Sequence, residues 1–139
     1  MPKALTHPAH GQTGCSAANL SGPCGISGSG TVFGAPSSFV GMFVFDGQGK
    51  ETGSVILLAG GALDHIGDVT GEYKVDGTCD GTLVIHTVHH NPPVSHYHDV
   101  DMVVVDGGKE VLFQLGGPKD TPSGSPPPGE VFNGVLKRL

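Results

Sequence analysis

Closely spaced turn sequences divide this chain into short apolar runs. This spacing restricts the chain to a fold built from short strands. The 139 residues include 24 glycines and 11 prolines, about a quarter of the chain, with no tripeptide period. Collagen and long helical bundles are therefore excluded. Asp46-Gly47, Asp76-Gly77, Asn91-Pro92-Pro93 and Asp106-Gly107-Gly108 are all sequences that favour tight turns.

The apolar runs between these turns predict an all-β protein without helices. Because closure removes the exposed edges of a meander, we predict an eight-stranded antiparallel up-and-down β-barrel, with a β-sandwich as the alternative. The predicted strands are 22–33, 37–46, 51–59, 68–75, 81–90, 94–105, 109–115 and 129–138. The barrel domain covers residues 19–139, preceded by a mobile or loosely docked arm at 1–18, and the proline-rich segment 116–129 is a surface loop.

Charge and hydropathy exclude two classes of partner. A formal net charge of −6 is the opposite of what a phosphate backbone attracts, so we expect no nucleic acid partner. No run approaches the roughly 18 apolar residues of a membrane span, and the N-terminus lacks the apolar core of a signal peptide. We therefore expect no membrane partner, and the cytoplasm is slightly favoured over export, with localisation otherwise unknown.

The segment from Ser38 to Phe45 is apolar at both odd and even positions. A strand with two apolar faces needs a covering layer outside the sheet. Since no helix is predicted to supply that layer, we expect a second copy of the chain to do so. The sequence therefore predicts a homo-oligomer.

The three cysteines, Cys15, Cys24 and Cys79, cannot all pair within one chain. Free cysteines are among the most often buried residues, so we favour three buried free thiols in a reducing compartment. A single disulfide between Cys15 and Cys79 is the main alternative.

Five of the eight histidines fall within thirteen positions, between His86 and His98. If Asn91-Pro92-Pro93 is a three-residue loop, His86 lies opposite His98 on the inner face of the barrel. In the strand GEYKV, the charged Glu72 and Lys74 face outward, which points Tyr73 inward as well. The predicted substrate-binding residues on this face are Val84, Val100, Met102, Phe113 and Leu115.

Tyr73, His86 and His98 are the predicted catalytic residues. A histidine in an apolar pocket can accept and return a proton near neutral pH, and a phenol beside it can stabilise an oxyanion. Two alternatives stay open. The histidines could be a structural pair, or His86, His96 and His98 could bind a divalent transition metal, because two side chains of a His-x-His sequence leave a strand on the same face.

Four segments, 18–36, 43–54, 71–83 and 101–115, resemble a family of small bacterial proteins with a calycin-like β-barrel. Their architecture is similar to that of allene oxide cyclase and related barrel cyclases. The resemblance implies cofactor-free chemistry on an apolar molecule inside the barrel. It also implies a cysteine near the start of the chain and another at the position of Cys79, which supports the disulfide alternative.

Together these observations predict a cofactor-independent isomerase, cyclase or lyase. Its substrate would be a hydrophobic small molecule, aromatic or polyketide-like, and the histidines would transfer protons. A lipocalin-like binding protein without catalytic activity and a histidine-ligated metal enzyme are the alternatives.

Overall fold

The described residues form a closed barrel of eight antiparallel strands in chain order, so the predicted up-and-down β-barrel is confirmed. The computed structural model describes residues 14–90, 93–116 and 129–139. The strands are β1 (Ser21–Val32), β2 (Ala35–Asp46), β3 (Lys50–Ala59), β4 (Ala62–Val75), β5 (Asp80–His90), β6 (Pro93–Val105), β7 (Glu110–Gly116) and β8 (Glu130–Arg138). Two short 3-10 turns, Ala17–Asn19 and Asp106–Gly108, complete this part of the chain. None of its helices is long and apolar enough to cross a membrane.

Strand β4 begins six residues earlier than predicted, at Ala62 instead of residue 68. Gly60 and Gly61 both have positive φ, 58° and 86°, so two glycines suffice to reverse the chain between β3 and β4. The polar residues that follow, including Asp64 and His65, therefore belong to the strand.

Side chains alternate along each strand between the outer wall and the barrel interior, as strand geometry requires. On β2, Phe43 and Phe45 are almost completely buried, while Val44 between them is exposed. Phe45 packs edge-on against Tyr73, with ring centroids 5.1 Å apart. A predominantly apolar core therefore fills the lower half of the barrel, the half that contains Leu20 and Tyr73.

The N-terminal 3-10 turn and Leu20 close this lower end. Leu20 is 1% exposed, and the Tyr73 hydroxyl donates one hydrogen bond that is shared between the carbonyls of Leu20 at 2.8 Å and Ala17 at 3.2 Å. Arg138 Nη2 donates to the carbonyl of Asn19 at 2.8 Å. The predicted arm at 1–18 can be followed only from Gly14, because residues 1–13 lie outside the described part of the chain.

A disulfide joins Cys15 to Cys79 at the same end, so the expectation that all three thiols are free is wrong and the alternative pairing is confirmed. Cys24 is free and buried, and desolvation raises the pKa of its thiol. The sequence left the pairing open because residues 64 positions apart meet only when the barrel closes.

The outer wall of β2 and β3 carries the apolar side chains that suggested a partner subunit. Val40, Met42 and Val44 are 56%, 42% and 42% exposed, and Ile56 and Leu58 of β3 lie on the same wall. The homo-oligomer stays a prediction.

Replacing Met42 with glutamate tests this prediction. A charge in the centre of an apolar contact between two copies would be left without solvent or a partner, so the variant is expected to sediment as a smaller species than the wild type. Lys74→Gln, which makes the net charge more negative by one, as Met42→Glu does, at an exposed position of β4, serves as the control for altered net charge. Identical sedimentation of the wild type and Met42→Glu would contradict the prediction.

Candidate active site inside the barrel

The hairpin between β5 and β6 differs from the predicted register by one residue. Its strands meet at His90 and Pro93, which leaves two connecting residues instead of three. Ile85 therefore lies opposite His98, and His86 lies opposite Tyr97. Since a shift of one residue moves a whole set of side chains to the other face, the predicted pairing of His86 with His98 is wrong.

His86 lies on the outer wall of the barrel. Its ring stacks on Tyr97 with centroids 4.5 Å apart and planes inclined by 13°. Tyr73 is buried as predicted, but its hydroxyl is engaged by main-chain carbonyls at the lower end. The three predicted catalytic residues are thus not brought together.

An apolar cavity lies inside the barrel, lined by aliphatic and aromatic side chains from all eight strands. Its volume is about 70 Å³, counted as space for the centres of water-sized groups, against roughly 10–15 Å³ for one water. This space suits a molecule of about one ring. Among the predicted substrate-binding residues, Val100, Phe113 and Leu115 line the cavity, whereas Met102 is buried away from it and Val84 faces outward, opposite Asp99.

Three of the described residues that line the cavity are polar: Thr87, His98 and Glu130. His98 Nδ1 lies 2.7 Å from Glu130 Oε1, and His98 Nε2 lies 3.3 Å from Thr87 Oγ1. All three residues are buried. The two atoms of the contact between His98 and Glu130 are close but not aligned as a hydrogen bond, so the contact is an ion pair only when His98 is protonated.

This arrangement places the Glu130 carboxyl beside one nitrogen of the imidazole, while the other nitrogen, at the cavity wall, contacts the Thr87 hydroxyl. A carboxylate in that position orients the ring and stabilises the imidazolium that forms when the ring takes up a proton. The surrounding apolar side chains exclude water from the contact between His98 and Glu130, which strengthens the electrostatic interaction between the two side chains. The pair of His98 and Glu130 is therefore suited to proton transfer.

Glu130 was not among the predicted site residues, although a signal for it existed. In the segment EVFNGVL, Glu130 shares its parity with Phe132 and Leu136, both of which are buried. An acidic residue that alternates with interior side chains is a candidate interior carboxylate.

A second group of imidazoles lies at the upper end of the barrel, opposite the N-terminal turn. The ring centroids of His89 and His96 are 5.9 Å apart, and those of His96 and His98 are 6.2 Å apart. His89 Nδ1 lies 3.0 Å from Asp64 Oδ2. Burial lowers the pKa of His96, and the neighbouring His98 and His89 lower it further.

The predicted metal ligands are divided between the two faces of the sheet. His96 and His98 share the inner face, as the His-x-His spacing predicts, but His86 is on the outer wall. In the described part of the chain, no three or more His, Cys, Asp or Glu side chains are placed to hold a metal ion. The proposed set of His86, His96 and His98 is therefore not assembled.

Glu51 is a further interior carboxyl that sequence reasoning missed. It is 2% exposed, and neither of its oxygens has a hydrogen-bond partner in the described structure. A Cβ atom built on Gly71 would lie 2.6 Å from Glu51 Oε1 and 2.9 Å from Leu83, so the carboxyl is packed closely into the core. Desolvation raises the pKa of Glu51 to about 8, and the group is therefore mostly protonated at neutral pH.

Comparison with known proteins adds no family to this description. No family model matches the chain, and no curated protein or solved structure matches it either.

Proposed function

We propose that this protein is a cofactor-independent isomerase, cyclase or lyase that transfers a proton on a small hydrophobic molecule inside the barrel. The observation that carries the proposal is the buried pair of His98 and Glu130 at the wall of an otherwise apolar cavity. The calycin-like resemblance, with its cofactor-free barrel cyclases, is consistent with this class of reaction.

The cavity limits the substrate to a compact molecule. On the scale where one water needs roughly 10–15 Å³, a volume of about 70 Å³ accommodates a single aromatic or alicyclic ring more readily than an extended polyketide chain. The aliphatic and aromatic lining supplies affinity without hydrogen bonds, so the reacting C–H group must lie at the polar end, beside His98 and Glu130.

His98 is the proposed general base. It accepts a proton from a carbon next to a carbonyl group, Glu130 stabilises the resulting imidazolium, and the same ring returns the proton to another carbon or to a leaving group. The accepting nitrogen is Nε2, and the Thr87 hydroxyl, 3.3 Å from it, orients the imidazole until the substrate C–H group takes its place. Return of the proton to another carbon gives isomerisation or cyclisation, whereas its transfer to a leaving group gives elimination.

Hydrogen–deuterium exchange into a small ketone tests the proposal. With 2-cyclohexenone in heavy water, the wild type is expected to exchange the hydrogens next to the carbonyl faster than buffer alone. The His98→Gln variant is expected to lose about 100-fold or more of that exchange, the usual contribution of a general base. His86→Gln, which changes a histidine on the outer wall, is the matched control and should exchange at the wild-type rate.

Equal exchange by the wild type and His98→Gln would contradict the proposal. The alternative function, binding without conversion, is supported by the apolar lining of the cavity. It predicts that the ketone binds, seen as line broadening of its signals, and that its deuterium content does not rise above the buffer control.

A further inference from the structure

Five side chains form a continuous line from the surface of the barrel to the cavity. Asp64 on β4 has a side chain that is 46% exposed and contacts His89 on β5, whose side chain is 19% exposed. His96 and His98 on β6 follow, and the line ends at Glu130 on β8. We refer to Asp64, His89, His96, His98 and Glu130 as the histidine line.

We propose that His96 and His89 carry protons between the buried pair of His98 and Glu130 and the surface carboxylate of Asp64. The inference rests on the proposed function, because the buried base must lose its own proton to solvent before it can take one from the substrate. It adds two positioning residues, His89 and His96, which do not themselves line the cavity.

Each transfer moves one proton and no electrons. His98 in its protonated form gives up an N–H proton to a bare nitrogen of neutral His96, so one N–H bond breaks and one forms. His96 passes a proton to His89 in the same way. Asp64 Oδ2, 3.0 Å from His89 Nδ1, accepts it and releases it to bulk water.

The spacing of the rings suits this transfer. With centroids 5.9 Å and 6.2 Å apart, successive rings lie edge-on to each other, and the proposed transfer between them proceeds through one bridging water or a ring rotation. A neutral imidazole carries one N–H and one bare nitrogen, as a proton carrier requires. The lowered pKa of His96 keeps it in that neutral form, with the negative charge of Glu130 acting weakly in the opposite direction.

Packing alone does not account for these residues. Most neighbouring interior positions carry apolar side chains, such as Leu57 on β3 and Leu115 on β7. An inward-facing histidine loses hydration that a leucine does not lose, so two adjacent imidazoles lower the stability of the fold relative to leucines. Their presence at these positions therefore indicates a role other than packing.

The exchange of the His98 ring N–H with water measures the transfer directly and needs no ligand. In uniformly ¹⁵N-labelled protein at neutral pH, this exchange is followed by nuclear magnetic resonance with selective saturation of water. His96→Phe keeps a ring at the position but removes its nitrogens, and it is expected to slow the exchange about ten-fold or more. A wild-type signal broadened beyond detection counts as fast exchange.

His86→Phe is the matched control, since it removes an imidazole from the outer wall of the neighbouring strand and is expected to leave the exchange unchanged. His89→Phe, at a less buried position, provides a second test should His96→Phe not fold. Exchange as fast in both inner-face variants as in the wild type would overturn the inference. Because the readout is independent of the ketone assay, its failure is distinguishable from a failure of the proposed function.

Discussion

Glu51→Gln is expected to remove a large fall in stability that the wild type shows as the pH rises. The folded pKa of Glu51 is about 8, against 4.5 for an unperturbed glutamate. Below both values each state is protonated. Between them the unfolded chain loses the proton while the folded barrel keeps it, so the wild type loses stability up to about pH 8, where the loss levels off.

The size of this effect follows from the difference between the two pKa values. About 3.5 units at 1.36 kcal/mol each give a loss of about 5 kcal/mol in the free energy of unfolding across the window. Glutamine cannot ionise, so the variant is expected to equal the wild type near pH 4 and to exceed it in stability by several kcal/mol at about pH 9.

Urea unfolding at a series of pH values measures the difference. Glu72→Gln is the matched control: Glu72 is exposed, its carboxylate is 2.7 Å from Lys50 Nζ, and this partner lowers its pKa. The control should retain the wild-type decline toward alkaline pH. Parallel curves for the wild type and Glu51→Gln would show that Glu51 is ionised in the folded state and would contradict the argument from burial.

Removal of the disulfide is expected to destabilise the barrel by about 4 kcal/mol. The bond between Cys15 and Cys79 closes a loop with a sequence separation of 64. Without the bond, the unfolded state regains the chain entropy that the closed loop had removed. The measurement is the free energy of unfolding of Cys15→Ala/Cys79→Ala in urea, compared with the wild type with and without reductant.

Cys24→Ala separates this effect from the loss of a buried sulfur. Cys24 is buried and free, so its variant should lose stability only through packing and should still respond to reductant as the wild type does. If reductant leaves the unfolding of the wild type unchanged, the two cysteines are not joined in solution.

The disulfide also bears on localisation. Disulfides persist mainly in oxidising compartments, so the pairing of Cys15 with Cys79 favours export over the cytoplasm, against the slight preference drawn from the sequence. Fractionation of the cells that express the protein, with the redox state of Cys15 measured in each fraction, distinguishes the two.

The barrel was predictable because its signals are local. Turn sequences such as Asp46-Gly47 and Asp106-Gly107-Gly108 act over two to four residues, and alternation along a strand identifies interior positions such as Phe43 and Phe45. The His-x-His spacing likewise placed His96 and His98 on one face without knowledge of any other strand.

The site was less predictable because it depends on relations between strands. One residue in the connection between His90 and Pro93 decides whether His86 faces the cavity or the outer wall, since side chains alternate with a period of two. No local pattern distinguishes a connection of two residues from one of three in Asn91-Pro92-Pro93.

Local turn chemistry and alternation thus suffice for the number of strands and their order, because both properties arise from neighbours in the chain, whereas closure pairs β1 with β8 across most of its length. The contact between His98 and Glu130, the burial of Glu51 and the bond between Cys15 and Cys79 join strands or segments far apart in sequence. They arise only when the sheet closes, because closure sets the register that brings those side chains together and removes the water around them.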